Sequence, residues 1–302
     1  MSLSIVYCTT REEPKIEWFI DSLKRQVGDV YVKLIIVDSH RFTRPIFPPI
    51  FNLPFETVWI EPKPNHFNGP HRLTKEDWFA ASSARNTGLC HASDGHVVFV
   101  DDLSVLMPGW MDAVRDMMKS DYVVCGAYHK VKNLRVENGE VKFYEAGGLD
   151  HRYGYGSDSG PVPCEGGWLY GCSCGGPVDA FLNVEGWPEA LADGISSEDY
   201  CLGIVLANQG VHLKYDRRMM TFESEELHHV GKVMIRRDKG VSPADKSHAL
   251  LGKVRGLKKF DNYFEGGIRK LRADTLAGNP FPPSRAPDRD WFDNQLISEF
   301  TP

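Results

Sequence analysis

At 302 residues, with 42% hydrophobic and 25% charged side chains, the chain has the make-up of a soluble globular protein of one large or two small domains, able to bury a sizeable core without staples. No apolar run approaches the roughly 18 residues of a membrane span, and the first residues lack the basic and apolar regions of a signal peptide, so a cytoplasmic location is expected. The net charge of −6 is uneven, because residues 232–272 carry twelve Lys and Arg against four acids, a net of +8 that leaves −14 for the remainder. Such a segment is either a solvated helical face or a surface that meets phosphates.

In chain order, Ser4 to Cys8 reads as a first strand, and Lys15 to Gln26 as an amphipathic helix with Ile16, Phe19, Ile20 and Leu23 along one face. Val32 to Val37 predicts a second buried strand, ending at Asp38-Ser39-His40. A Pro-rich connection from Arg44 to Pro54 leads to a third strand at Glu56 to Ile60. Pro62 to Arg72 reads as a loop and Asp77 to Ala92 as a helix. Next, Val97-Val98-Phe99-Val100 runs into two adjacent carboxylates, Asp101 and Asp102, the pattern of a buried parallel strand at its C-terminal edge. Strands alternating with helices over the first hundred residues predict an α/β fold, a mostly parallel sheet with helices on both faces. In such sheets ligands bind beyond the carboxyl ends of the strands. An Asp-Asp pair there is either a cap with a solvated neighbour or the holder of a hard divalent cation.

Further on, Tyr122 to Lys130 and Val141 to Glu145 read as strands separated by a turn at Asn138-Gly139. A Gly, Ser and aromatic stretch from Gly147 to Gly176 reads as a long functional loop. Helices are predicted from Pro177 to Asn183 and from Ser197 to Gln209, the second capped by Ser196 or Ser197 with Glu198 and Asp199 in its first turn. A strand at Val211 to Tyr215 precedes the acidic and His-bearing run from Glu223 to Gly231. Residues 1–231 form the expected main domain, and residues 232–302 a basic, then Pro-rich extension that wraps it as a lid or tail. Seven Cys scattered among apolar neighbours read as reduced thiols, and the Cys-x-Cys at Cys172 and Cys174, near Cys164, is a poor match to zinc spacing.

Several groups of residues follow one another in order. Thr9-Thr10-Arg11 closes the first strand and Asp38 the second; Ala84-Arg85-Asn86-Thr87-Gly88 precedes Asp101-Asp102, with Pro108-Gly109-Trp110 beyond. Gly175-Gly176-Pro177, Gly186-Trp187, Glu198-Asp199 and Gly210 complete the set. Over residues 4–232 this order resembles the GT-A glycosyltransferases, especially the family-2 group and the retaining polypeptide N-acetylgalactosaminyltransferases. The resemblance implies a Rossmann-like nucleotide-diphospho-sugar transferase fold, with a nucleotide-binding half at 1–110 and an acceptor-side half at 111–231. It implies metal-dependent transfer of a sugar from a nucleotide-diphospho-sugar, UDP-linked before others, to an acceptor hydroxyl.

Position by position, the resemblance puts Thr9, Thr10 and Arg11 in the loop that frames the nucleotide, Asp38 at the base or ribose, and Arg85 under the nucleotide. Gly175 and Gly176 match the pair where backbone approaches the donor sugar or acceptor. Glu198 and Asp199 match the acidic pair of the acceptor-side helix. In an inverting reaction Asp199 is the expected base with Glu198 next, and in a retaining one the same acids hydrogen-bond sugar or acceptor. Asp101 and Asp102 match the acidic metal motif, but Leu103 stands where a third Asp is usual. That leaves Asp102 as the expected metal ligand and Asp101 as a ribose or supporting partner. Leu227-His228-His229-Val230-Gly231 is similar to the His segment that completes the metal sphere in the retaining relatives. Neighbours on an extended chain point opposite ways, so one imidazole reaches the metal, and the match favours His229 over His228.

Mn²⁺, or Mg²⁺, is the expected cofactor, Mn²⁺ suiting a mixed oxygen and nitrogen sphere. Trp168, with Tyr170 and Trp187, flanks the Gly pair and offers rings for stacking. The expected partners are the nucleotide-sugar donor and an acceptor that is a glycan or a polyanion such as a nucleic acid bearing a modified base. Two other classes stay open. One is a non-catalytic sugar-nucleotide-binding protein, motivated by Leu103; the other is a nucleotidyltransferase, against which stands the lack of glycine in Thr9-Thr10-Arg11-Glu12-Glu13.

Overall fold

The computed structural model describes residues 2–44, 53–72, 77–78, 80–193, 197–228 and 252–283. Four runs rich in Ile, Val and Leu make the first half of a sheet: β1 (Ser2–Thr9), β2 (Tyr31–Asp38), β3 (Glu56–Ile60) and β4 (His96–Asp101). They are parallel, in the order β3-β2-β1-β4. Ile5, Val6, Leu34, Ile35, Val97 and Val98 are fully buried, as strands covered on both faces require. The register sets Thr9 against Asp38 and Cys8 against Asp101, so three strands end level at one edge.

Helices cover both faces. α1 (Ile16–Gln26) and α3 (Trp110–Met118) bury Ile16, Phe19, Leu23, Trp110 and Met117 against Tyr7, Leu34 and Val98. On the other face lie α2 (Ala81–His91), α4 (Val178–Asn183) and α6 (Glu198–Asn208), with Leu89, Phe181 and Leu206 around Phe99 and Trp187. The second helix is shorter than expected. Asp77 instead accepts hydrogen bonds from the Gly69 N–H and Arg72 in the preceding loop, and Asp193 receives the first N–H groups of α2, those of Ser82 and Ser83, at 2.8 and 3.0 Å.

The second half of the sheet mixes directions. β5 (Ser104–Leu106), β6 (Val123–Glu137), β9 (Ser173–Pro177) and β10 (Leu213–Ser224) continue the order as β4-β9-β6-β10-β5. β6 and β10 are parallel, while β9 and β5 run against their neighbours. β7 (Glu140–Glu145) hairpins onto β6 through Asn138-Gly139, and β8 (Val162–Pro163) adds to β10.

Three expectations change here. The stretch from Gly147 to Gly176 is not one loop, because its end forms β9 in the middle of the sheet, with Gly175 paired to both Val98 and Val124. A Cβ on Gly175 would stand 2.6 Å from the Val97 carbonyl oxygen, and one on Gly176 2.8 Å from Val123 Cγ2. Both strands of the β6–β10 pair are longer than their apolar cores predict. Finally, just past the end of β10 the chain forms a helical turn, α7 (Glu225–His228), where an extended run was expected, and a short helix, α5 (Glu189–Ala192), precedes α6. Ser197 caps α6 in the left-handed conformation at φ 67°, without a side-chain cap bond.

The remaining loop is pinned by Arg152, which is fully buried and holds Asp150 at 2.7 Å. Its guanidinium also donates to the Trp168 and Gly126 carbonyls and lies 3.9 Å from the Tyr170 ring centroid. Residues 252–283 close the back of the molecule. Val254, Phe260, Ile268 and Leu271 join the core that contains Phe181 and Leu206, and α8 (Gly267–Leu276) packs on α2. Arg272 pairs with Asp94 and Arg269 with Asp179, at the end of β4 away from Asp101. All seven cysteines are free thiols. Among the described residues no helix is long and apolar enough to cross a membrane.

Candidate active site

The level ends of β1, β2 and β4 gather most of the residues singled out from the sequence. The turn after β1 folds back so that Arg11 N–H donates to Thr9 Oγ1 at 3.1 Å. Thr9 Oγ1 and Arg11 Nε then each donate to one oxygen of Asp102, both at 2.8 Å. Arg11, 4% exposed, also reaches the Leu227 carbonyl at 3.0 Å, tying the first-strand loop to α7. Burial pushes the Asp102 carboxyl above the usual aspartate value, against the pull of Arg11 and Thr9. The Thr10 carbonyl faces His40 Nε2 at 3.2 Å. Asp38 is fully buried and holds the turn after β2, accepting from Arg44, Trp59 Nε1 and the His40 N–H.

Arg85 joins the two halves. From α2 its Nη2 pairs with Asp101 Oδ1 at 2.7 Å and its Nη1 with Glu198 Oε1 at 2.8 Å, while its guanidinium lies 4.4 Å from the Trp187 ring centroid. Burial opposes the charge, but Asp101 and Glu198 hold the guanidinium well above its ordinary pKa, so it stays a cation. Gly171 is required here, because a Cβ on it would stand 2.3 Å from Arg85 Nη2.

Glu198 is therefore committed to Arg85, whereas Asp199 is held by backbone. Asp199 accepts from the Gly171 and Tyr200 N–H groups at 3.1 and 2.7 Å. Burial first, and the neighbouring Glu198 second, push its carboxyl up to about 7. Trp168 lies in a turn at 166–168, half-buried, edge-on to Tyr155 and Tyr215. Gly175 and Gly176 sit inside β9 and are buried there.

His228, at the end of α7, faces Lys130 with Nε2 3.2 Å from the ammonium. As the ammonium can only donate, that nitrogen accepts. His229 lies outside the described residues. Sequence reasoning passed over Glu223, which β10 carries into the same edge. It is 4% exposed. Burial first, then Asp101 and Asp102, push its carboxyl up to about 8, against Lys130 and Arg11. The signal was available only as an acid following the apolar strand run Met219 to Phe222, whose strand the sequence ends too early.

A divalent cation is the cofactor this edge has to be tested against. Among the described residues no three His, Cys, Asp or Glu side chains converge as a metal cage. A cation that arrives with a diphosphate asks for less, one or two carboxylates with phosphate oxygens completing the sphere. Asp101, whose side chain is 38% exposed, and Glu223, whose buried Oε1 has no hydrogen-bond partner among the described residues, supply that. The donor set fits.

No protein-family model matches the chain, and no curated protein matches its sequence. Solved structures do match. Staphylococcus aureus TarS residues 1–349, in complex with UDP-GlcNAc, superposes with a TM-score of 0.55 at 14% identity, over 84% of this chain and 65% of that one. GalNAc-T7 with UDP, GalNAc and Mn²⁺ superposes with a TM-score of 0.56 at 12% identity, over 94% of this chain and 59% of that one. The chain thus spans less than two thirds of the length of either. At these identities the likeness concerns the fold, and the fold is that of the GT-A glycosyltransferases.

Proposed function

We propose that the protein transfers a sugar from a nucleotide-diphospho-sugar, with UDP as the carrier, to an acceptor hydroxyl. The observation that carries this is the convergence of Thr9, Arg11, Asp101, Asp102, Arg85, Glu198 and Asp199 at the carboxyl edge of a parallel half-sheet, where α/β folds bind ligands. The superposed structures support it, since both were solved with UDP or a UDP-sugar.

In this reading the loop of Thr9, Thr10 and Arg11 frames the nucleotide, and Asp101, close to Arg85, faces the ribose and diphosphate. The carboxylates of this edge would hold a divalent cation, Mn²⁺ or Mg²⁺, whose charge would offset that of the departing diphosphate. Arg85 holds Asp101 and Glu198 in place through its two ion pairs. Asp199 is the base. At about 7 its carboxyl is poised to take the proton of an acceptor hydroxyl near neutral pH as that oxygen attacks the anomeric carbon and the bond to the diphosphate breaks. Glu198, engaged by Arg85, orients the bridge.

The acceptor is a hydroxyl of a glycan or of a polyanion, and two of the basic side chains are committed elsewhere. In the described part of the basic segment, Arg269 and Arg272 are paired with Asp179 and Asp94 at the far end of β4. A six-residue strand puts them about 20 Å from the site edge.

Release of UDP from a panel of UDP-sugars tests the reading. Wild-type protein is expected to release UDP from at least one donor with Mn²⁺ present, with rate rising as pH passes through 7, and Asp199→Asn is expected to lose 100-fold or more. A panel with no release, or an Asp199→Asn variant as active as wild type, removes the proposal or its base respectively.

A further inference from the structure

Glu223 lies opposite Ser104 of β5, itself three residues beyond Asp101 at the end of β4, and in register with Lys130 of β6. Its Oε1 is buried without a hydrogen-bond partner among the described residues. The hydroxyls of Ser104 and Thr221 are buried without one as well. Cross-strand pairing and two-residue spacing put all three oxygens on one face of β10. An ionised carboxylate is costly to bury unless a cation answers it, and hard divalent cations select such oxygens.

Asp102 is the poorer ligand. Both of its oxygens already accept bonds, from Thr9 and Arg11, whereas Asp101 gives Arg85 its Oδ1 and remains the more exposed of the two. Resting on the transferase reading above, we propose that Asp101 and Glu223 are the protein's ligands to the divalent cation that accompanies the donor diphosphate. Asp102 then positions the first-strand loop through Arg11 and Thr9. Two carboxylates make a weak site by themselves and a strong one once phosphate oxygens are added, so cation and nucleotide bind together.

Electron paramagnetic resonance of Mn²⁺, with and without UDP, reads the cation directly. Wild-type protein is expected to take up Mn²⁺ at least tenfold more tightly with UDP present. Glu223→Gln and Asp101→Asn are each expected to weaken that uptake at least tenfold, Asp102→Asn much less, and Glu223→Asp is expected to recover part of the loss. Wild-type-like uptake by Glu223→Gln overturns the assignment and leaves the transferase reading standing. UDP binding that ignores Mn²⁺ but falls with Lys130→Met overturns it too, by giving the cation's place to the ammonium. Wild-type protein that binds no UDP under either condition removes the transferase reading itself. Melting curves keep a folding failure apart, since Glu223→Gln should melt no lower than wild type at pH 8.5.

Discussion

Single residues decide most of the chemistry, and Arg85 carries the largest share. It is the shared cation of Asp101 and Glu198, so removing it leaves the buried Glu198 without its counter-charge and the more exposed Asp101 without its partner. Arg85→Met is expected to destabilise the protein by about 3–5 kcal/mol, measured by urea unfolding at pH 7. Arg85→Lys should recover only part, because an ammonium cannot reproduce the fork that spans both acids. A loss under about 1 kcal/mol for Arg85→Met would deny the bridge its role. Glu223 acts in the opposite sense. The folded state holds its proton up to about 8, while the unfolded chain releases it near the ordinary 4.5. Between those values the folded state binds more protons, so this group's contribution to stability falls as pH rises and levels off above 8. Glu223→Gln should therefore match wild type near pH 4 and exceed it near pH 9, by on the order of a few kcal/mol in nucleotide-free protein. A variant less stable than wild type at pH 9 would contradict this. From sequence, Arg85, inside α2, was singled out only by the resemblance of its Ala-Arg-Asn-Thr-Gly segment, whereas Asp101, Asp102, Glu198 and Asp199 were legible because each sits beside an element boundary. Glu223 was not, since its strand extends past the apolar run that announces it, and its neighbours Asp101 and Lys130 are remote in sequence.

At the scale of elements, the parallel half was readable because its strands are continuous apolar runs: β3 is found at the predicted Glu56–Ile60, and α1 buries the predicted face of Ile16, Phe19, Ile20 and Leu23. β9 escaped because Ser173-Cys174-Gly175-Gly176 has almost no side chain to pattern and little strand propensity. Its glycines let β4 and β6 close on both sides of it. Gly175→Ala is accordingly expected to cost about 1–3 kcal/mol by overpacking against Val97 and Val98, seen as a lower urea midpoint. An unchanged midpoint would mean that the strand gives way easily. The helical turn α7 puts His228 at the end of a helix where an extended run was expected, with acids at 225 and 226 opening it, while His229 lies outside the described residues.

For the whole molecule, the C-terminal segment is a brace as far as it is described. Its apolar residues join the main core and its Arg269 and Arg272 spend their charges on Asp179 and Asp94. Ile268→Ala is expected to cost about 2–5 kcal/mol, and Arg269→Gln to leave the salt dependence of activity unchanged. A flatter salt dependence in Arg269→Gln would return this segment to the acceptor surface. The composition showed the charge imbalance but not its destination, which depends on contacts between residues about 90 to 180 positions apart. The most direct measurement is calorimetric titration of UDP into the full chain, with Mn²⁺ and with chelator, repeated on Asp101→Asn. Saturable binding that needs Mn²⁺ and weakens at least tenfold in the variant is the expected result. No heat of binding for UDP under either condition, from protein shown to be folded, would contradict the assignment of this edge to a nucleotide-sugar donor.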